Sequence, residues 1–157
     1  MEDAFVYLSR IRATPEQLWQ ALTEPAFTER YWELSFDTDW QPGSPMTWRE
    51  RGGSVADPEQ RVLEYDFPRR LAYTWHTFTV EWAERVGVAE DVRKAIAAEP
   101  RSKVAFDLEP GDRTVRLKVT HDGFAPGSTV LQMIGEGWPE LVSSLKTLLE
   151  TGEPLPG

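Results

Sequence analysis

The sequence predicts an α+β fold, in which one antiparallel sheet carries its helices on one face. Three observations support this prediction: the strand-like segments are grouped together, two short helices follow the first strand, and one long amphipathic segment closes the chain. Grouped strands are typical of α+β domains rather than of folds in which strands and helices alternate. The long segment has a single apolar stripe, which it can bury only against the apolar face of the sheet.

The first strand and the two short helices are predicted near the amino terminus. Residues 4–13 read as a strand, with side chains alternating between two faces. Thr14 is a suitable N-cap, Pro15 suits the first helical position, and Gln17 completes a capping box. A helix is therefore expected to begin here. The Thr-Glu-Pro segment 23–25 ends it and starts a second short helix.

Four more strands are expected in the middle of the chain, separated by segments rich in turn-forming residues. They are predicted at residues 34–40, 44–52, 60–67 and 70–78. In the last of these, alternation places Tyr73 and Trp75 on one face and His76 on the other. We therefore expect His76 to lie at the surface.

A helical insert is predicted next, near residues 84–99, within a segment 81–100 that departs from strand alternation. Its apolar positions recur at helical spacing, at Val88, Val92 and Ile96. Two strands then form a hairpin with one apolar face, as in an antiparallel sheet that is covered on one side. The second strand is expected to end in a turn at residues 122–123.

The C-terminal segment carries the longest apolar stripe of the chain. Its members are spaced three or four residues apart, at Leu131, Ile134, Trp138, Leu141, Leu145 and Leu148. The stripe continues unbroken through Gly135, Gly137 and Pro139. This favours one helix from about 128 to 151, with a soft or kinked middle and Gly152 as its C-terminal cap. The alternative is a helix that begins at Pro139 after an irregular loop.

Composition limits the function classes. A chain of 157 residues suits one domain spanning 1–157, and the lack of cysteine excludes disulfides and thiol nucleophiles. The formal net charge of −9 disfavours binding to nucleic acid or to an anionic membrane. No apolar run approaches the roughly 18 residues of a membrane span, and the first residues lack the plan of a signal peptide. We therefore expect a cytoplasmic protein.

Motifs for catalysis are missing from the sequence. It has two histidines, no His-Glu-x-x-His arrangement and no Gly-x-Ser-x-Gly. Accordingly, we expect no catalytic residue, no metal site and no cofactor.

Two polar residues, His121 and Glu50, have two interpretations each. His121 either faces a cavity or lies at the strand end and caps the turn, and Glu50 either points inward or lies at a solvated strand end. We favour the strand end for both.

Four segments resemble a known family: residues 13–25, 70–76, 117–124 and 137–155. They resemble bacterial proteins similar to the C-terminal domain of the Hsp90 ATPase activator, within the START-like (Bet v 1-like, SRPBCC) superfamily. The resemblance implies a helix-grip fold, in which a curved antiparallel sheet wraps around a long C-terminal helix. It also implies a cavity between sheet and helix that commonly holds an apolar ligand. The insert near 84–99 marks a subgroup.

The implied fold, the seven tryptophans and the missing catalytic motifs predict a non-enzymatic carrier or sensor of a small hydrophobic molecule. The residues expected to contact this ligand are Trp48, Tyr73, Trp75, His121, Met133, Gly137 and Trp138. The alternative for the aromatic members is that they fill the core. The insert 81–100 and the segment 133–139 are expected at the cavity mouth, with the insert either a mobile lid or a rigid cover.

Two other functions are open alternatives. Some superfamily relatives are cyclases or aromatases, so the resemblance also allows an enzyme of that kind, or a hydrolase, on a hydrophobic substrate. Its acid–base groups would be His121, Tyr73 and Glu50. A protein-interaction module, such as a chaperone cofactor, rests on the resemblance alone. A homodimer is open under each of these functions.

Overall fold

The computed structural model describes residues 3–156, and its element order follows the predicted α+β plan. The elements are β1 Asp3–Ile11, α1 Pro15–Thr23, α2 Pro25–Tyr31, β2 Leu34–Asp37, β3 Thr47–Glu50, β4 Gly53–Val55, β5 Val62–Asp66, β6 Arg70–Thr74, α3 Val80–Val86, α4 Glu90–Ala97, β7 Lys103–Pro110, β8 Val115–Phe124 and α5 Thr129–Thr151. The antiparallel sheet, the two short helices after β1 and the long C-terminal helix confirm the predicted fold class.

The strands form two antiparallel sheets. The larger has the order β1-β8-β7-β6-β5, and the smaller has the order β2-β3-β4. One row of paired residues across the larger sheet matters for the site. The register pairs Phe5 with His121, His121 with Val104, and Val104 with Tyr73. His121 and Tyr73 therefore lie two strands apart in the same row, on the face that α5 covers.

The start of α1 forms as its sequence predicts. The hydroxyl of Thr14 accepts a hydrogen bond from the backbone N–H of Gln17 at 3.1 Å, and the Gln17 side chain accepts from the backbone N–H of Thr14 at 2.9 Å. These reciprocal bonds satisfy two N–H groups that a helix start would otherwise leave unpaired. Pro15 and Pro25 each occupy the first turn of their helix, where a missing N–H costs nothing.

Helix α5 is continuous from Thr129 to Thr151, which confirms the prediction of one helix through Pro139. The Ser128 hydroxyl caps its start by accepting from the Leu131 N–H, and Gly152 ends it with a φ of 90°. Its buried face consists of Val130, Ile134, Trp138, Val142, Ser144, Leu145 and Leu148. This face lies on the apolar face of the larger sheet, so α5 and the sheet share one core.

Three predicted boundaries in the chain are wrong. The strand expected over 70–78 ends at Thr74, and the strand expected over 44–52 covers only Thr47–Glu50, with β4 lying in the segment that was expected to be a turn. The turn expected at 122–123 does not form, because β8 continues to Phe124 and pairs there with β1. Gly123 has a φ of 93°, a conformation that is typical of turns, yet it lies within a paired strand.

The insert consists of two short helices, α3 and α4, rather than one. Gly87 separates them in a left-handed conformation with a φ of 80°. Of the apolar positions predicted to share a face, Ile96 is buried and Val88 is half-buried, but Val92 is 38% exposed. The predicted apolar face is therefore only partly correct. Helix α4 begins at Glu90, so Val88 precedes it, and within α4 only Ile96 is buried.

Candidate ligand-binding site

A groove of about 920 Å³ runs alongside α5 and is the larger of the two cavities described for residues 3–156. From α5 it is lined by Val130, Met133, Ile134, Gly137, Trp138 and Leu141. Its other aromatic walls are Tyr31, Trp32, Trp75, His76, Phe78 and Trp82. Concave, mainly aromatic and aliphatic walls with few polar groups are usual for small-molecule sites.

The C-terminal tail forms one further wall of the groove through Leu155 and Pro156. The N–H of Leu155 donates to the Ser144 hydroxyl at 3.2 Å, which ties the tail to α5. On the other side, the Arg30 guanidinium donates to the carbonyl of Gly152 at 2.9 Å. The tail is therefore held between α2 and α5, at the edge of the groove.

The structure divides the predicted ligand-binding residues into three sets. Trp75, Met133, Gly137 and Trp138 line the groove. Trp48 instead lines a second cavity of about 310 Å³, beside β3 and α3. Tyr73 and His121 line neither cavity and are 0% exposed.

Aromatic packing explains why the space under α5 is closed. The ring of Trp48 lies 4.9 Å from that of Trp75 and 5.1 Å from that of Phe36. The ring of Phe106 lies 5.7 Å from both Tyr73 and Trp138. These rings fill the volume between the sheet and α5, so the open space lies at the side of the helix. The aromatic set is thus partly core and partly groove wall.

Gly137 lines the groove from α5 without a side chain. A Cβ added at Gly137 would meet no atom within 4 Å, apart from its own helix backbone and chain neighbours. At Gly135, by contrast, a Cβ would contact the Phe5 ring at 3.7 Å. The missing side chain at Gly137 therefore leaves room inside the groove.

His121 is fully buried, so the favoured prediction that it caps a turn at the strand end is wrong. Its Nδ1 accepts a hydrogen bond from the Trp138 indole N–H at 3.1 Å. Because Nδ1 accepts, the neutral ring carries its proton on Nε2, which donates to the Ser102 hydroxyl at 2.8 Å. Burial, with smaller contributions from the charges of His76 and Lys103, lowers the pKa of His121 to about 3. His121 is a neutral core residue that joins the sheet to α5.

His76 is 7% exposed, so the prediction of a surface histidine is also wrong. Strand β6 ends at Thr74, and the alternation on which that prediction relied ends with it. Its ring packs against Trp48 and Phe78 at 4.9 Å each. Burial is the main cause that lowers the pKa of His76 to about 4, so the ring is neutral at pH 7.

Glu50 points into the second cavity rather than lying at a solvated strand end, which corrects the favoured interpretation. It is half-buried, and its Oε1 lies 3.9 Å from Nη2 of Arg85 in α3. Burial raises the pKa of Glu50 above its ordinary value, and the charge of Arg85 opposes this shift. The partner that a buried Glu50 needs therefore comes from the insert.

The three candidate acid–base groups do not meet. Tyr73 and His121 are enclosed in the core, and Glu50 lines a different cavity from the groove. Burial raises the pKa of Tyr73 well above its ordinary value, which keeps the phenol protonated. General acid–base catalysis requires groups within hydrogen-bond reach of one reacting molecule, and this set does not provide that.

Sequence reasoning missed several groove residues, chiefly Trp32, His76, Phe78 and Trp82. The aromatic run from 75 to 82 is a signal for these residues, but strand alternation accounts for its first part and the helical insert for its last part. No sequence pattern predicted that Leu155 and Pro156 of the tail would line the groove.

Within residues 3–156, no group of three or more His, Asp or Glu side chains is arranged to hold a metal ion. None of the described helices is long and apolar enough to cross a membrane.

An antiparallel sheet on a long C-terminal helix, with an apolar groove beside that helix, defines a START-like protein of the helix-grip class. The model of the family described as activator of Hsp90 ATPase homolog 1-like protein matches residues 12–150, and the chain belongs to this family. No curated protein sequence shows significant similarity to the chain.

Solved structures with the same fold cover nearly the whole chain. The protein MLL2253 from Mesorhizobium loti is 25% identical with a TM-score of 0.72, over 94% of this chain and 97% of its own. CalU16 from Micromonospora echinospora is 21% identical with a TM-score of 0.68, over 99% and 78%. The Aha1 dimer from Colwellia psychrerythraea is 20% identical with a TM-score of 0.65, over 96% and 98%.

Proposed function

We propose that this protein binds a small hydrophobic molecule in the groove beside α5, as a carrier or sensor. The observation that carries the proposal is the groove itself, which combines about 920 Å³ of space with walls of tryptophan, phenylalanine and aliphatic side chains. Surfaces of this kind, left open on a folded protein, commonly mark binding sites. The unfilled position at Gly137 supports the same proposal.

Binding is favoured over catalysis because the candidate acid–base groups do not converge on the groove. Its histidine, His76, has a pKa of about 4 and is too weak a base for efficient proton abstraction at pH 7. His121 and Tyr73 do not reach the groove. An enzyme that uses His121, Tyr73 and Glu50 together is therefore not supported. A chaperone-cofactor role rests on the family description alone, and we do not propose it.

The test uses Gly137→Leu and a matched control. A leucine at position 137 projects into the groove, where there is space for it, and should replace the ligand rather than disturb the core. Glu136→Leu adds the same side chain one residue earlier, at an exposed position that does not line the groove. Any general effect of a new leucine on α5 therefore appears in both variants.

The measurement is a titration with the neutral dye N-phenyl-1-naphthylamine, followed by dye emission and by quenching of tryptophan fluorescence. We expect saturable binding to the natural chain and to Glu136→Leu, and at least tenfold weaker binding to Gly137→Leu. Four tryptophans, Trp32, Trp75, Trp82 and Trp138, line the groove and should report its occupancy. Equal binding by all three proteins, or no saturable binding to the natural chain, would reject the groove as the site.

Self-association is a second proposal. The structurally similar Aha1 from Colwellia psychrerythraea was solved as a dimer. In this chain β1 is an edge strand, and its outer face carries Val6 and Leu8, which are 50% and 48% exposed. Light scattering over a hundredfold range of concentration tests the proposal, and a constant mass of 17.9 kDa would reject it.

The location of the protein is also a proposal. The chain contains no cysteine, which suits a reducing compartment, and we propose the cytoplasm.

A further inference from the structure

We propose that Nε2 of His76 accepts a hydrogen bond from the ligand in the groove, and that this ligand is a neutral hydrophobic molecule with a hydroxyl or N–H donor. This inference rests on the proposed function and adds the chemical class of the ligand. His76 lines both the groove and the second cavity, so it lies in the wall between them.

The tautomer of His76 follows from one contact. Its Nδ1 lies 2.9 Å from the carbonyl oxygen of Thr77. A carbonyl oxygen can only accept, so Nδ1 carries the proton and Nε2 keeps a free lone pair in the neutral ring. No side chain or backbone group within residues 3–156 makes a hydrogen bond to Nε2.

The backbone around this ring is held in place by several hydrogen bonds. The N–H of Thr77 donates to Oε1 of the buried Gln60 at 2.9 Å. The Arg101 guanidinium donates to the carbonyl of Trp75 at 3.1 Å and to the hydroxyl of Thr77 at 3.0 Å. The acceptor is therefore positioned before any ligand arrives, which reduces the entropy that binding must overcome.

The ring of His76 is packed among aromatic side chains that offer its lone pair no hydrogen-bond donor. Its ring centroid lies 4.9 Å from Trp48 and Phe78, 5.2 Å from Trp82 and 5.6 Å from Trp75. Nε2 of His76 is not among the buried side-chain atoms that lack a partner within residues 3–156, so it is accessible from the cavities that the ring lines. A ligand that donates a hydrogen bond at this point takes the place of water there.

Charge at the site favours a neutral ligand over an acid. The ring is neutral at pH 7 and cannot donate from Nε2, so a carboxylate would find no donor there. Arg101 and Arg85 are the cations that act on the ring, and both have carboxylate neighbours: Asp57 lies 3.6 Å from Arg101, and Glu50 lies 3.9 Å from Arg85. Within the described part of the chain, Nε and Nη2 of Arg85 have no hydrogen-bond partner, but Arg85 lines the second cavity and not the groove. Arg30 does line the groove, and it donates to the carbonyl of Gly152 at 2.9 Å and lies 3.5 Å from the Glu153 carboxylate.

The first experiment compares two probes of similar size, 2-naphthol and 2-methoxynaphthalene. Only 2-naphthol can donate a hydrogen bond. His76→Phe keeps an aromatic ring and removes the acceptor. We expect His76→Phe to weaken 2-naphthol binding about fivefold and to leave 2-methoxynaphthalene binding unchanged. Comparing the change between the two probes cancels their different solubility in water.

The second experiment does not depend on a variant that folds. The chain has two histidines, and their neutral tautomers are opposite: Nδ1–H for His76 and Nε2–H for His121. Nitrogen-15 NMR of histidine-labelled natural protein therefore distinguishes them directly. On addition of 2-naphthol we expect Nε2 of His76 to shift upfield as it accepts a hydrogen bond. His121, which already bonds Trp138, serves as the internal control and should not change.

The outcomes separate the two proposals. If both probes bind with the same dependence on His76, and its Nε2 signal does not move, the acceptor role is wrong while binding in the groove stands. If neither probe binds, the proposed function fails and this inference fails with it. A selective loss of 2-naphthol affinity together with the nitrogen shift supports both.

Discussion

The indole N–H of Trp138 in α5 donates a hydrogen bond of 3.1 Å to Nδ1 of His121 in β8, inside the shared core. This bond fixes the rotation of α5 relative to the sheet. Since Trp138 also lines the groove, the same contact sets the position of one groove wall. A polar contact buried among aromatic rings gives directional specificity that apolar packing alone does not.

Trp138→Phe should destabilise the protein by about 1–3 kcal/mol more than Trp48→Phe. Both tryptophans are buried, but the Trp48 N–H has no hydrogen-bond partner among the described residues. Only the change at Trp138 leaves the His121 nitrogen without its partner. Urea unfolding of the two variants measures the difference, and equal free energies of unfolding would contradict the role assigned to this bond.

The free energy of unfolding should fall as the pH is lowered from 6.5 toward 4. The pKa values of His76 and His121 are about 4 and about 3 in the folded protein, below their ordinary value of 6.5. In this window the unfolded chain binds protons that the folded chain cannot, so stability is lost as the pH falls. Two histidines give a limiting slope of about 2.7 kcal/mol per pH unit.

His76→Phe should remove about half of that slope. Glu50, whose pKa is raised by burial, opposes the trend and reduces the observed value. Urea titrations at several pH values between 7.5 and 5 measure the slope for both proteins. An unchanged slope in His76→Phe would show that this histidine titrates normally in the folded state.

Gln60→Leu should destabilise the protein by more than about 3 kcal/mol. The buried Gln60 side chain donates to the carbonyls of Met46 and Val55, at 2.9 Å each, and accepts from the N–H of Thr77 at 2.9 Å. Leucine has a similar size but leaves three backbone groups unpaired, each costing about 1–3 kcal/mol. Thermal unfolding of this variant, with exposed Gln20→Leu as control, provides the check.

Hydrogen exchange should distinguish the two halves of the insert. Trp82 of α3 lines the groove, but no residue of α4 does. The Glu99 carboxylate, directly after α4, bonds the Ser128 hydroxyl and accepts from the N–H of Thr129 at 3.1 Å. We therefore expect bound N-phenyl-1-naphthylamine to slow exchange in α3 and to leave α4 unchanged. Slowing of both helices together would instead indicate a lid that closes as one unit.

Much of the fold could be predicted from local signals. The capping box at Thr14 and the apolar stripe of α5 each specify a helix whatever surrounds it. The stripe outweighed Pro139 because Ile134, Trp138, Leu145 and Leu148 are buried in the core, and Leu131 and Leu141 are partly buried against it. The end of β6 at Thr74 had no comparable signal, since alternation continues in the sequence after the sheet pairing stops.

The candidate site was harder to predict because it depends on which aromatic residues are enclosed in the core and which stay at its edge. Tyr73 and Trp75 are two residues apart, yet Tyr73 is enclosed and Trp75 borders the groove. That difference comes from contacts with Phe106 and Trp138, which are distant in sequence. Gly137 was recognisable as a position without a side chain, but only the packed structure shows that no neighbour fills the space.

The tail beside the groove offers a place for chemical labelling. Because the chain has no cysteine, Pro156→Cys would introduce a single reactive thiol, next to the Leu155 that borders the opening. A solvent-sensitive fluorophore on that thiol would report binding and release of a small molecule at the groove. Position 156 lies outside the core, so the label should not disturb the fold. By the same geometry, a bulky group attached at this position would lie at the edge of the groove and narrow its opening.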